Sequence, residues 1–171
     1  MGLRYLDTGA MFRAVTWWML EQQIDVHDPA AVAARVGEGR LESGTDPLAP
    51  TITMDGVDVS AAIREAAVTG AVSPVSAVPE VRSWLLREQR RIVGEGGIVV
   101  EGRDIGSVVC PDAELKIYLT ADPAARAARR AQEQGGGDVA ATQESLLKRD
   151  AIDSTRATAP LTMPTGAVHI D

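Results

Sequence analysis

Apolar positions along the chain switch between two periods, and the switches mark its elements. Residues 4–7 (RYLD) read as the end of a short strand, with Asp7 or Thr8 placed to cap the helix after it. Met11, Ala14, Val15 and Trp18 recur at helical spacing, so a helix is predicted over about 10–23, with Phe12 and Arg13 off its apolar stripe. Ile52 and Met54 alternate, Asp55-Gly56 supplies a two-residue turn, and Val57 and Val59 alternate back, a β-hairpin at 51–59. Ser60 is expected to cap a helix over about 61–70. Pro79 and Glu80 open another helix, striped by Val81, Trp84, Leu85 and Ile92 and ended by Gly94. The branched run 98–101 is a strand, and Leu115, Ile117 and Leu119 form a second one with period two. Asp122-Pro123 starts an arginine-rich helix to about 134, which Gly135 to Gly137 break. A further helix spans about 139–153, and Val168 and Ile170 begin a last strand. Strands alternating with helices imply an α/β fold with a parallel sheet, on which the antiparallel hairpin is an insertion.

Length and composition narrow the picture. The 171 residues suit one domain with a real core, and 45% hydrophobic residues are ordinary for a globular protein. No apolar run approaches the ~20 residues of a membrane span. The opening MGLRYLDTGAM lacks the basic-then-apolar order of a secretory signal. A single cysteine, Cys110, makes no internal disulfide, which fits a cytoplasmic protein, and reads as a small buried hydrophobe. His27 and His169 lack metal-ligand spacing and are read as structural. The net charge of −7 argues against nonspecific binding to nucleic acid or anionic membrane, but not against a small anionic ligand. Fifteen of the 17 basic residues are arginines; only Lys116 and Lys148 are lysines. Guanidinium forks match phosphates in two-pronged fashion, though GC-rich genomes produce the same bias.

Four clusters carry candidate chemistry. In LDTGAMFR (6–13), Thr8, a helix N-terminus and Arg13 stand near a strand end, a natural anion site; the plainer alternative is a capped helix with Arg13 packed on Trp17. In AVSPVSAVPEVR, Ser73 and Arg82 flank a helix start. In EGRDIG, Glu101, Arg103 and Asp104 fall at the carboxyl end of a strand, where open α/β folds bind ligands, and Gly102 permits a tight turn. The alternative there is a solvated charged turn. In KRDAIDSTRA, Arg149, Asp153 and Arg156 share one helix face if the helix reaches them; the alternative is an exposed ion pair worth about 0.3–0.5 kcal/mol. The phosphate-cradling motif G-x-x-x-x-G-K-[ST] does not occur in these residues, because neither lysine follows a glycine.

Together these strings resemble bacterial cytidylate kinases, which act on CMP and dCMP. LDTGAMFR, GVDVSAAIR, VSPVSAVPEVR, IVVEGRDIGSVVCPDA, LKIYLTA, ARAARR and RDAIDSTRATAPL keep that family's order over nearly the whole chain. The resemblance implies a P-loop nucleoside monophosphate kinase-like parallel sheet flanked by helices, one core over 1–171, with a CMP-binding insertion at 40–64 and a lid at 122–150. It implies that Ser73, Arg82 and Asp104 read cytosine, that Arg13, Arg103 and Arg156 hold the CMP phosphate, and that Arg149 and Asp153 bind the sugar. Thr8 matches a position near the nucleotide, Phe12 one where tyrosine is common, and Arg129 a lid arginine closing on ATP. Glu101 matches an acidic strand end that orders magnesium-bound water, so Mg²⁺ is expected with ATP. A cytoplasmic monomer acting on small molecules, without nucleic acid or membrane partners, is the corresponding expectation. The family's P-loop strand, which lies mid-sheet between the strands at 98–101 and 115–119, and its closing helix have no counterpart in these residues. A seam with open strand edges and exposed apolar faces is therefore expected, and the chain alone is expected to be inactive. The alternative function is a non-catalytic CMP-binding or interaction fragment.

Overall fold

The computed structural model describes residues 2–133, 136–155 and 158–171. They form two compact units, Met1–Gly102 and Arg103–Asp171.

In the first unit β1 (Arg4–Asp7) pairs in parallel with β5 (Ile98–Glu101), Arg4 opposite Ile98 and Asp7 opposite Glu101. Parallel neighbours need a crossover, and everything between the two strands supplies it. Helix α1 (Thr8–Glu21) begins two residues earlier than its apolar stripe indicates. The reason is Asp7, whose Oδ1 accepts from the Ala10 amide at 2.9 Å and so caps the first turn. The predicted stripe of Met11, Ala14, Val15 and Trp18 is buried, joined by Thr16 and Met19.

Helix α2 (Pro29–Ala34) has no counterpart in the elements read from the sequence; Asp28 caps it through the amides of Ala30 and Ala31. The antiparallel insertion has three strands, β2 (Leu41–Ser43), β3 (Ile52–Met54) and β4 (Val57–Asp58), in that order. The β3–β4 hairpin turns as predicted at Asp55-Gly56, both in the left-handed region with φ of 51° and 79°. Asp55 is anchored further: its Oδ2 accepts from Trp18 Nε1 at 2.7 Å and its Oδ1 from the Arg40 amide at 2.8 Å.

The helix expected over 61–70 is replaced by a 3-10 turn at Ala62–Arg64 and α3 over Ala66–Ala77. Ser60 does not cap a helix, because its hydroxyl accepts from the Ile52 amide at 3.3 Å. Glu65 is extended and separates the two pieces, and Pro74 inside α3 costs that helix one backbone bond. Helix α4 (Pro79–Val93) follows its prediction and ends at Gly94, φ 55°. Arg4 donates to the carbonyls of Ile92, Val93 and Gly96, each at 2.9 Å, and so satisfies acceptors at that helix end. Leu6, Met11, Met19, Met54, Val81 and Leu85 lie at the centre of the resulting core.

In the second unit a π-helical turn (Ile105–Val109) follows Asp104 directly. Strand β6 (Ile117–Leu119) pairs in parallel with β7 (Val168–Ile170), Ile117 opposite Val168. Leu115, predicted within the strand, lies outside β6 and is exposed. Helices α5 (Pro123–Glu133) and α6 (Val139–Thr155) pack on each other, capped by Asp122 and Asp138. The chain thus has the mixed α/β architecture expected, with parallel pairing and a small antiparallel sheet. Among the described residues β5 and β6 each pair along one edge only, and Val99, Ile117 and Leu119 are exposed. No helix among them is long and apolar enough to cross a membrane.

Candidate functional site

Phe12, Arg13, Ser73 and Arg82 lie where α1, α3 and α4 meet. Arg13 leaves α1 beside the buried stripe and donates from Nη1 to the Ile63 carbonyl at 3.0 Å and to Thr69 Oγ1 at 2.9 Å. These bonds, rather than packing on Trp17, fix its guanidinium. Its neighbour Phe12 meets Arg82, whose guanidinium carbon lies 5.3 Å from the ring centroid. Such a cation held over an aromatic face is attracted by the ring quadrupole. Arg82 is buried in the first turn of α4 and donates from Nη1 to the Ser76 carbonyl at 3.1 Å. Ser76 in turn donates its hydroxyl to the Ser73 carbonyl at 3.1 Å, so Ser73 belongs to the turn that Arg82 grips.

Thr8 and Glu101 meet at the carboxyl ends of β1 and β5. The buried Thr8 donates its hydroxyl to the Glu101 carbonyl at 2.8 Å, while the Glu101 side chain is exposed. Burial, then a hydrogen bond to Glu101 and the charges of Glu101 and Asp7, push the Tyr5 phenol well above its usual value.

The second unit holds an arginine–aspartate network. Arg103 Nη1 donates to Asp150 Oδ1 at 2.5 Å, and Arg126 Nη2 of α5 lies 2.8 Å from Asp150 Oδ2. Arg103 Nη1 also lies 3.6 Å from Asp153 Oδ2, and Arg149 Nε 3.9 Å from the same oxygen. Arg149 and Asp153 share a helix face because α6 continues past them to Thr155, as their spacing required. Among the described residues Arg103, Arg126 and Arg149 thus converge on Asp150 and Asp153. Burial opposes ionisation of Asp150, but hydrogen bonds from Arg103 and Arg126 outweigh it and hold the carboxyl below its usual range. Burial, and then the charge of Arg103, lower Arg149. Asp153 is buried. Asp104 is also buried, and its carbonyl starts the π-helical turn by accepting from Val108 and Val109. Single π-helical turns often mark functional positions. Gly106 within it has no room for a side chain: a Cβ there would stand 2.8 Å from Pro164 Cγ.

Arg129 is exposed on α5, with Glu133 at 3.9 Å as its ion partner. Arg156, expected to complete the α6 face, lies outside the described residues. Among those residues there is no cluster of three His, Cys, Asp or Glu side chains that would hold a metal. Sequence reasoning missed Asp150 and the pairing role of Arg126. A signal for Asp150 was available: it stands three residues before Asp153, a spacing that puts both carboxylates on one helix face.

The family model for cytidylate kinase matches residues 1–171. The chain is 59% identical over its whole length to a cytidylate kinase of Streptomyces avermitilis, covering 75% of that protein. It is 53% identical over its whole length to one of Nocardia farcinica, covering 76% of it. It is also 46% identical, over 99% of its length, to a bifunctional pantoate ligase/cytidylate kinase of Synechococcus elongatus, of which it covers 34%.

Proposed function

The chain belongs to the cytidylate kinase family, and from that premise we propose that its residues bind CMP or dCMP for phosphoryl transfer from Mg-ATP. One CMP phosphate oxygen attacks the γ-phosphorus in line; the bond from that phosphorus to the β-bridging oxygen breaks, and ADP departs. Because the attacking group is already an anion, no general base is required, and catalysis rests on positioning and charge neutralisation.

The observation that carries this reading is the convergence of Arg103, Arg126 and Arg149 on two aspartates. Arg103, Arg13 and Arg156 are the residues that take the CMP phosphate. Arg149 and Asp153 take the sugar, Asp153 accepting from ribose hydroxyls. Ser73, Arg82 and Asp104 read the cytosine edge, with Phe12 as a flat neighbour held against Arg82 and Thr8 near the nucleotide. The three-stranded sheet β2–β4 falls within the proposed CMP-binding insertion at 40–64, and α5 within the proposed lid at 122–150, which brings Arg129 to ATP. Magnesium arrives with ATP, takes most of its ligands from phosphates and water, and needs few from protein. Glu101, an exposed carboxylate at a strand end, suits an outer hydrogen bond to such water.

Arg103→Ala, made in a protein that also carries a P-loop segment, should lower CDP formation by about 100-fold or more with little loss of fold. Near-normal rates remove Arg103 from the phosphate clamp. The 171 residues contain no G-x-x-x-x-G-K-[ST], so alone they should form no CDP from ATP and CMP. The second reading is a CMP-binding fragment without catalysis. It becomes the better one if joining a P-loop segment gives no turnover while CMP still binds.

A further inference from the structure

Asp150 is the one carboxylate of the network that belongs to none of the proposed contacts with substrate, yet it makes the two shortest ion pairs in it. Its oxygens are divided: Oδ1 takes Arg103 at 2.5 Å, and Oδ2 takes Arg126 of α5 at 2.8 Å. Arg103 enters from the turn after β5, where glycine and bend conformations leave its backbone little restraint of its own. Asp150 uses only Nη1 of that guanidinium. Among the described residues Nε and Nη2 of Arg103 have no hydrogen-bond partner, which leaves that two-donor edge without a protein acceptor. That edge suits two oxygens of one phosphate group.

We propose that Asp150 is a positioning residue for the nucleotide phosphate: it holds Arg103 by one amino group so that its other edge takes the phosphate, and ties that arginine to the lid helix through Arg126. The proposal rests on the CMP-binding reading above. Two effects of losing the carboxylate oppose each other. Asp150→Asn raises the local positive charge by one, which alone would strengthen phosphate binding. It also releases Arg103 and Arg126 from a shared acceptor. The short, divided geometry says that orientation outweighs charge, so phosphate binding should weaken.

The test titrates CMP and unphosphorylated cytidine against the 171-residue protein by NMR, in wild type, Asp150→Asn, Arg126→Gln and the double variant. Wild type should prefer CMP to cytidine. Asp150→Asn should reduce that preference by about tenfold while cytidine binding stays unchanged, a split that general loosening of the fold does not produce. Arg126→Gln should reduce it less, and the double variant should match Asp150→Asn alone, since both act through one carboxylate. If Asp150→Asn fails to fold, Arg126→Gln carries the test through the same preference. A wild type with no preference for CMP overturns the nucleotide reading and the tether with it. A wild type that prefers CMP, with the preference intact or increased in the folded variants, overturns the tether alone.

Discussion

The two units are stabilised by different physics. In the first, Leu6, Met11, Val75, Val81 and Leu85 are removed from water, and α1, α3 and α4 close over them. In the second, the buried apolar side chains among the described residues are only Val109, Ala127 and Ala131. Its helices are joined instead by Arg103, Arg126 and Arg149 on Asp150 and Asp153. Apolar burial is indifferent to pH and little affected by moderate salt, whereas ion pairs answer to both. In the proposed reading the apolar unit supplies Arg82 and Phe12, while the unit held by charge is the one a charged ligand acts on directly.

The largest expected effect removes burial from the first unit. Leu85→Ala should cost about 3 kcal/mol, read by denaturant unfolding, with faster amide exchange in α1, α3 and α4 but not in α5 and α6. Equal loosening of α5 and α6 would mean that the chain unfolds as a single body and would erase the contrast. Acid should act the other way. The Asp150 carboxyl is held below its unfolded value of 3.8, so the stability it contributes is present above that pH and disappears as pH falls through the lower folded value. Partial exposure keeps this contribution small, and it is lost from the second unit. NMR shifts of α6 should report it, and Asp150→Asn should abolish the transition. The smallest effect is ionic: raising salt from about 0.1 to 1 M shortens the screening length from about 10 to 3 Å and should cost the second unit a few tenths of a kcal/mol. Matching exchange rates in both units at the two salt levels would contradict the division.

What was legible in the sequence was whatever a local signal controls. Asp7, the Asp55-Gly56 turn, Pro79 and Gly94 each set a boundary through one side chain or one dihedral, and the elements they bound lie within two residues of their reading. Strand β2 was not legible because three residues become a strand only by pairing with β3, at a distance in sequence. The shift of α3 has the same origin: Ser60 has the composition of a cap, but a tertiary partner, the Ile52 amide, claims its hydroxyl. The site shows this divide too. Arg13, Arg82, Arg103 and Asp153 were named from their strings, yet the atoms that orient them belong to Ile63, Thr69, Ser76 and Asp150. Those partners are products of folding. Only Asp150, by its helical spacing from Asp153, had left a trace in the string itself.

The half-paired strands β5 and β6 have a consequence for handling the protein. Among the described residues each leaves one edge without a paired strand, flanked by Val99, Ile117 or Leu119, a surface on which another copy can add a strand. Mutual repulsion of molecules carrying −7 charges is what opposes that addition. Near the isoelectric point of 4.9 the repulsion vanishes, and light scattering should rise there before any helix melts.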